Sequence, residues 1–304
     1  MVSVGAVPLP SWLAQRLVAW AVPRTPVAPL LPVLREAVTS VRITPGQLVL
    51  RYRWSEPAVA QLMNALVAPA ELARLRDYHG RLGALLAARD STAASVQDSV
   101  ATDSVAAAAP APRPLVGLLA PLLGAASQRT MATGDAAAEV RAALLTLALY
   151  AAQQPLGTRI PAAAAWPALP RHAVVLGGRE DLAAHFLVSA LVVVEGTSPL
   201  AQAVGVYKEL RDSRAGGSGF SFADLAADLA GTRFGELAQR NPGWLAEQVA
   251  RGVTDDALLP SLAGLPEGVD SATYAAVYGG VEGAGMRQLT AELGRRLDTL
   301  ALYR

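Results

Sequence analysis

The sequence predicts a mainly α protein, with a helical C-terminal domain and a small N-terminal α+β unit containing a β-hairpin. Three observations carry this. After about residue 114 the chain is a series of Ala- and Leu-rich segments with apolar residues three and four apart, each bounded by helix starts and stops. Around residues 41–54 the period changes to two, with a turn dipeptide in the middle. Between the two regions, residues 90–113 are mostly Ala, Ser, Thr and Pro. Such a segment has too little apolar surface to offset its ordering entropy. The expected organisation is therefore a unit over 1–89, a linker over 90–113 and a helical domain over 114–304.

Taken in order, the opening residues lack the charged start and long apolar core of a secretory signal. Ser11 to Ala21 read as a short amphipathic helix with Trp12 and Trp20, packed on its own domain. Val41–Thr44 and Gln47–Trp54 are the strands, joined by Pro45-Gly46. In the second strand Leu48, Leu50, Tyr52 and Trp54 alternate with Val49, Arg51 and Arg53, the pattern of a sheet with one solvated face. Helix follows from Glu56 to about Arg89, with Pro69 as a break or a fresh first turn. Beyond the linker, helices are expected over about 114–129 and 134–153, then an Ala/Pro connector holding Trp166, then a short extended run at Ala173–Leu176. After Gly235 the chain stays helical. Asn241-Pro242, Thr254 and Ser271 mark helix starts, and Leu289, Leu293, Leu297 and Leu300 mark the core face of the last helix.

The stretch from Arg179 to Gly235 differs from the rest. Three helices are read there: about 181–195 ending at Gly196, about 199–213 starting at Ser198-Pro199, and one after Ser221 continuing to about Leu237. The run Ser221-Phe222-Ala223-Asp224 has capping-box spacing, with Asp in place of Glu or Gln. Each helix carries one narrow polar line on an apolar cylinder. The lines are Asp181, His185 and Ser189; Lys208, Glu209 and Asp212; and Asp224 and Asp228, the last continuing to Gly231 and Gly235. A solvated helix face is broader and richer in charge. These lines are expected to meet, with the two glycines admitting a neighbouring backbone. His185, Lys208, Glu209, Asp212, Asp224 and Asp228 are the candidate site residues. Lys208 is the one lysine among 26 basic residues.

Composition narrows the chemistry. Net charge is +1 and no basic-aromatic surface is legible, so nucleic acid is not an expected partner. The chain has no cysteine, which removes disulfides, thiolate catalysis and cysteine metal sites. It has three histidines, at 79, 172 and 185, so a site built from two or three of them is hard to assemble. No HExxH, Walker A, GxSxG or GxGxxG pattern stands in a suitable context. The glycines at 216, 217 and 219 follow a helix rather than a strand and read as a turn.

At the residues just quoted, the chain resembles a bacterial family of small envelope proteins of unknown function, the YfiM-like type, and more distantly is similar to VanZ-like membrane proteins. The likeness lies in an acid before His-Phe (Asp181, His185, Phe186), then Lys-Glu with a later Asp (Lys208, Glu209, Asp212), then a glycine-rich turn and Asp-Leu-x-x-Asp-x-x-Gly (Asp224, Leu225, Asp228, Gly231). It covers under a fifth of the chain. It implies an envelope location, periplasmic or at the inner membrane, a membrane-associated helical hairpin, and an envelope component or membrane surface as partner. It supplies no reaction, substrate, cofactor or metal.

Two functions follow. In one, the polar lines form a hydrogen-bonded network that fixes how the helices pack, in a structural or interaction protein. In the other, an envelope hydrolase uses His185 as acid or base, with Asp224, Asp228 or Glu209 orienting it or holding a hard divalent ion.

Overall fold

A computed structural model of the protein describes residues 2–4, 7–9, 16, 38–44, 47–52, 67–97, 110–196, 221–279 and 283–304. They fall in two compact units, Met1–Ala68 with Ile160–Ala162, and Pro69–Arg159 with Ala163–Arg304.

In the first unit a short antiparallel pair, β1 (Val2–Val4) and β2 (Val7–Leu9), precedes the expected hairpin of β3 (Val38–Thr44) and β4 (Gln47–Tyr52). The hairpin register pairs Val41 with Leu50 and Ile43 with Leu48. Arg51 is exposed, as the alternation requires. The first strand begins three residues earlier than its alternation suggested, across an irregularity between Val38 and Ser40. There the Thr39 hydroxyl donates to the Arg51 carbonyl at 3.1 Å. Pro45-Gly46, Arg53, Trp54, and the proposed helix over 11–21 apart from Arg16 lie outside the described residues.

The second unit is helical. Helix α1 (Pro69–Gln97) starts at Pro69 and carries Leu75, Tyr78, Leu82 and Leu86 fully buried along one stripe. It packs on α2 (Leu115–Thr133) and α3 (Ala136–Ala151). Two expectations are corrected here. The division between compact units falls at Ala68/Pro69 rather than within 90–113, because the apolar stripe of α1 belongs to the helical core. The helix also runs through the start of the expected linker to Gln97, while residues 98–109 are outside the description. Lack of apolar surface argues against tertiary burial. It does not stop an Ala-rich segment from extending a helix already nucleated upstream.

Helix α2 ends at Gly134 in the left-handed conformation (φ 71°), and Asp135 then caps α3 by accepting from the Ala138 amide at 3.0 Å. Most of α3 is buried, including the whole run Ala142–Leu149, and it contacts α1, α2, α4 (Glu180–Glu195), α5 (Phe222–Arg240) and α6 (Pro242–Ala250). A helix that is apolar on nearly every side must sit at a centre. The extended run before α4 forms β6 (Val174–Val175), which pairs in parallel with β5 (Arg113–Pro114). Helix α7 (Ala284–Asp298) turns Met286, Leu293 and Leu297 inward, with Leu289 and Leu300 half-buried.

Candidate functional site

Helices α4 and α5 make the most extensive helix pair of the unit. The reason lies at two glycines. A Cβ on Gly231 would run into the Phe186 carbonyl, and one on Gly235 would lie 2.6 Å from the Ala190 carbonyl oxygen. Only hydrogen fits at either position, so the backbones come together as their spacing predicts. Phe186 and Phe234 then meet with ring centroids 5.3 Å apart.

This close approach aligns the polar lines. His185 is buried, and its Nδ1 lies 3.0 Å from Asp228 Oδ1. A carboxylate accepts, so Nδ1–H donates. The Ser189 hydroxyl donates to the same oxygen at 2.8 Å. His185 Nε2 faces Asp224 Oδ2 at 3.4 Å from the opposite edge of the ring. Asp224 sits in the first turn of α5, where its amide donates to the Ser221 hydroxyl at 3.1 Å and completes the cap read from the sequence. The two aspartates remain partly open to solvent, with side-chain exposures of 28% for Asp224 and 39% for Asp228.

Arg179, just before α4, extends the cluster. It donates to both carboxylate oxygens of Asp181 (3.1 and 2.6 Å) and to Glu267 (2.6 Å), and lies 3.7 Å from Asp224 Oδ1. Its hydrogen bonds hold the Asp181 carboxyl below the usual carboxylate range, and the acids in turn raise the guanidinium above its ordinary value.

Of the sequence-derived candidates, His185, Asp224 and Asp228 come together, while Lys208, Glu209 and Asp212 lie outside the described residues. Sequence reasoning missed Arg179 and Glu267 as members. Arg179 looked like a helix boundary, and Glu267 sits in a loop 88 residues away with no pattern around it. Asp181 shares a line with His185 but is engaged by Arg179 instead.

Chemically, the arrangement orients an imidazole from both edges. It does not deliver Ser189 as a nucleophile to His185, because that hydroxyl is spent on Asp228. Among the described residues no three His, Asp or Glu side chains are gathered so as to hold a metal ion, and no helix is long and apolar enough to cross a membrane.

A second cluster was not anticipated at all. Glu139 on α3 is fully buried, accepting from Arg74 Nε at 2.9 Å, Arg129 Nε at 2.7 Å and the Tyr78 hydroxyl at 2.8 Å. Glu71 joins through Arg74 and Arg141, each at 2.8 Å. Burial works to raise the Glu139 carboxyl, but the three donors outweigh it and hold it below the ordinary value. Burial and the neighbouring carboxylate push the Tyr78 phenol far up. The available signal was a lone acid at the head of an apolar helix, with Arg74 and Tyr78 four apart on α1.

Comparison with family models, curated proteins and solved structures found no match.

Proposed function

We propose that this is a structural or interaction protein of the cell envelope, whose helical unit is fastened by the His185–Asp224–Asp228 cluster. One observation carries the structural role: Asp228 Oδ1 accepts from both His185 and Ser189 across the glycine-lined contact of α4 and α5. That one oxygen ties α4 to α5 through two donors. The envelope location has support only from the motif likeness over residues 179–235, and cell fractionation tests it separately.

The hydrolase alternative has one observation in its favour, the solvent-facing edges of Asp224 and Asp228. A double-mutant cycle with His185→Gln and Asp228→Asn, read by urea unfolding and by turnover of ester, amide and glycan substrates, separates the two. A structural role requires a coupling energy between the sites in the unfolding data. Undiminished stability together with loss of a measurable turnover hands the site to the hydrolase.

A further inference from the structure

A cavity of about 520 Å³ lies in the second compact unit, with no residue of the His185 cluster on its lining. Its walls come from α1, from the end of α3, and from the stretch that composition marks as an Ala/Pro connector. Its volume falls within the span of small-molecule sites. The walls are tied in place. The Pro167 carbonyl accepts from His79 Nε2 on α1 at 2.9 Å. The Tyr150 hydroxyl on α3 donates to the Pro170 carbonyl at 2.8 Å and accepts from the His172 amide at 3.1 Å. Gln153, just past α3, donates to the His172 carbonyl at 3.3 Å. Gly157 lets the connector come close, because a Cβ there would lie 2.7 Å from Ala164 Cα. Four hydrogen bonds and a backbone contact thus hold the connector off the helices by a fixed amount, and its alanines leave the space between unfilled.

The residue types on the lining select the ligand. Leu156, Leu169, the alanines, the prolines and Trp166 offer apolar surface. The hydroxyls have little left to give: those of Thr146 and Thr158 donate to the Ala142 and Pro155 carbonyls, and that of Tyr150 already has two partners. No aspartate or glutamate lines the cavity, and Arg171 is the one permanently charged residue that does. Arg171 is exposed, so it stands where the cavity meets solvent, and it has no ion pair among the described residues. The cavity therefore presents apolar walls with a single unopposed positive charge at its open side. A guanidinium takes a carboxylate through two parallel hydrogen bonds.

We propose that this cavity binds a small amphipathic carboxylate, its apolar body between α3 and the connector and its carboxylate at Arg171. The body removes from water the apolar lining that the connector leaves uncovered, and this supplies the affinity. The arginine sets the sign of the charge. This site is independent of the structural role proposed for α4 and α5.

The test is calorimetric titration of the full chain with octanoate and with octyltrimethylammonium, which share a tail and carry opposite charges. The expected result is saturable binding of octanoate at one site, with a dissociation constant below about 1 mM. The cation binds weaker by about tenfold or more, because one head group is attracted by Arg171 and the other repelled. Arg171→Gln brings the two affinities within about threefold, and Arg171→Glu reverses the preference. Both changes are at an exposed position and leave the fold intact. Ala168→Trp, also exposed, fills the cavity from its wall and lowers octanoate affinity by about tenfold or more at an unchanged melting temperature. No saturable binding in wild type, equal affinity for the two head groups, an unaltered preference in Arg171→Glu, or undiminished binding in Ala168→Trp overturns the proposal.

Discussion

The two polar clusters solve the same problem in opposite ways. Around Glu139 a single carboxylate is fully buried and closed by two guanidinium groups and a phenol, on three different helices. Around His185 two carboxylates keep an open edge to solvent and share one imidazole, on two helices. In the first arrangement the Glu139 carboxylate has no contact with water, so each donor it loses leaves a buried charge less compensated. In the second, water can replace a lost partner. Charge count is similar in both. Burial and the number of donors per acceptor set the energetic stakes.

Glu139→Ala is the sharpest way to break this contrast. It takes the shared acceptor from Arg74, Arg129 and the Tyr78 hydroxyl; Arg74 keeps Glu71 at 2.8 Å and Arg129 keeps Asp77 at 3.4 Å, so the cost is expected toward the lower end of the roughly 3–5 kcal/mol of a broken buried pair. Urea unfolding at pH 7 reads the loss directly. A cost near that of an exposed pair would show that water already reaches the cluster.

The same carboxylate predicts a pH dependence. Its folded pKa is lowered, so its contribution is present above the unfolded value near 4.3 and is lost as pH falls through the folded value. Thermal melts between pH 6 and pH 3 should show stability falling with pH, and Glu139→Gln should flatten part of that slope. A variant with an unchanged slope would assign the dependence to the surface acids, among them Asp181.

Gly231→Ala tests what aligns the second cluster. Alanine favours a helix by about 1 kcal/mol over glycine. The added methyl must displace the Phe186 backbone, and overpacking of that kind costs about 1–3 kcal/mol. Net destabilisation is expected, with loss of the His185–Asp228 contact visible in the imidazole NMR signals. Gly294, within α7 and with nothing near its missing Cβ, is the control: Gly294→Ala should stabilise by roughly 0.5–1 kcal/mol.

Asp228→Asn is expected to cost far less than Glu139→Ala. It weakens two hydrogen bonds at a partly solvated edge, so about 1 kcal/mol is expected from denaturant midpoints. A loss as large as that of Glu139→Ala would erase the distinction between the clusters.

Much of the helical unit was legible because its boundaries are chemical. Gly196 stops α4, Ser221 caps α5 and Pro242 opens α6, each through a local backbone requirement. The meeting of α4 and α5 was legible too, because Gly231 and Gly235 mark a face with no side chain. The Glu139 cluster was not. Its cations, Arg74 and Arg129, have the spacing of an ordinary solvated face, and only the three-dimensional packing of α1, α2 and α3 turns them inward. The division at Ala68/Pro69 was missed for a related reason. Composition reveals where apolar surface is scarce, but the stripe of Leu75, Leu82 and Leu86 does not say which neighbour it will cover.

The central position of α3 has a kinetic consequence. A helix enclosed by five others has no side from which it can fray while its neighbours stay in place, so its amide protons reach water only when the whole unit opens. In heavy water the backbone amides of Ala142–Leu149 should therefore be the last in the unit to exchange, at a rate set by global unfolding. Those of α7, which rests on the core by one edge, should exchange long before them.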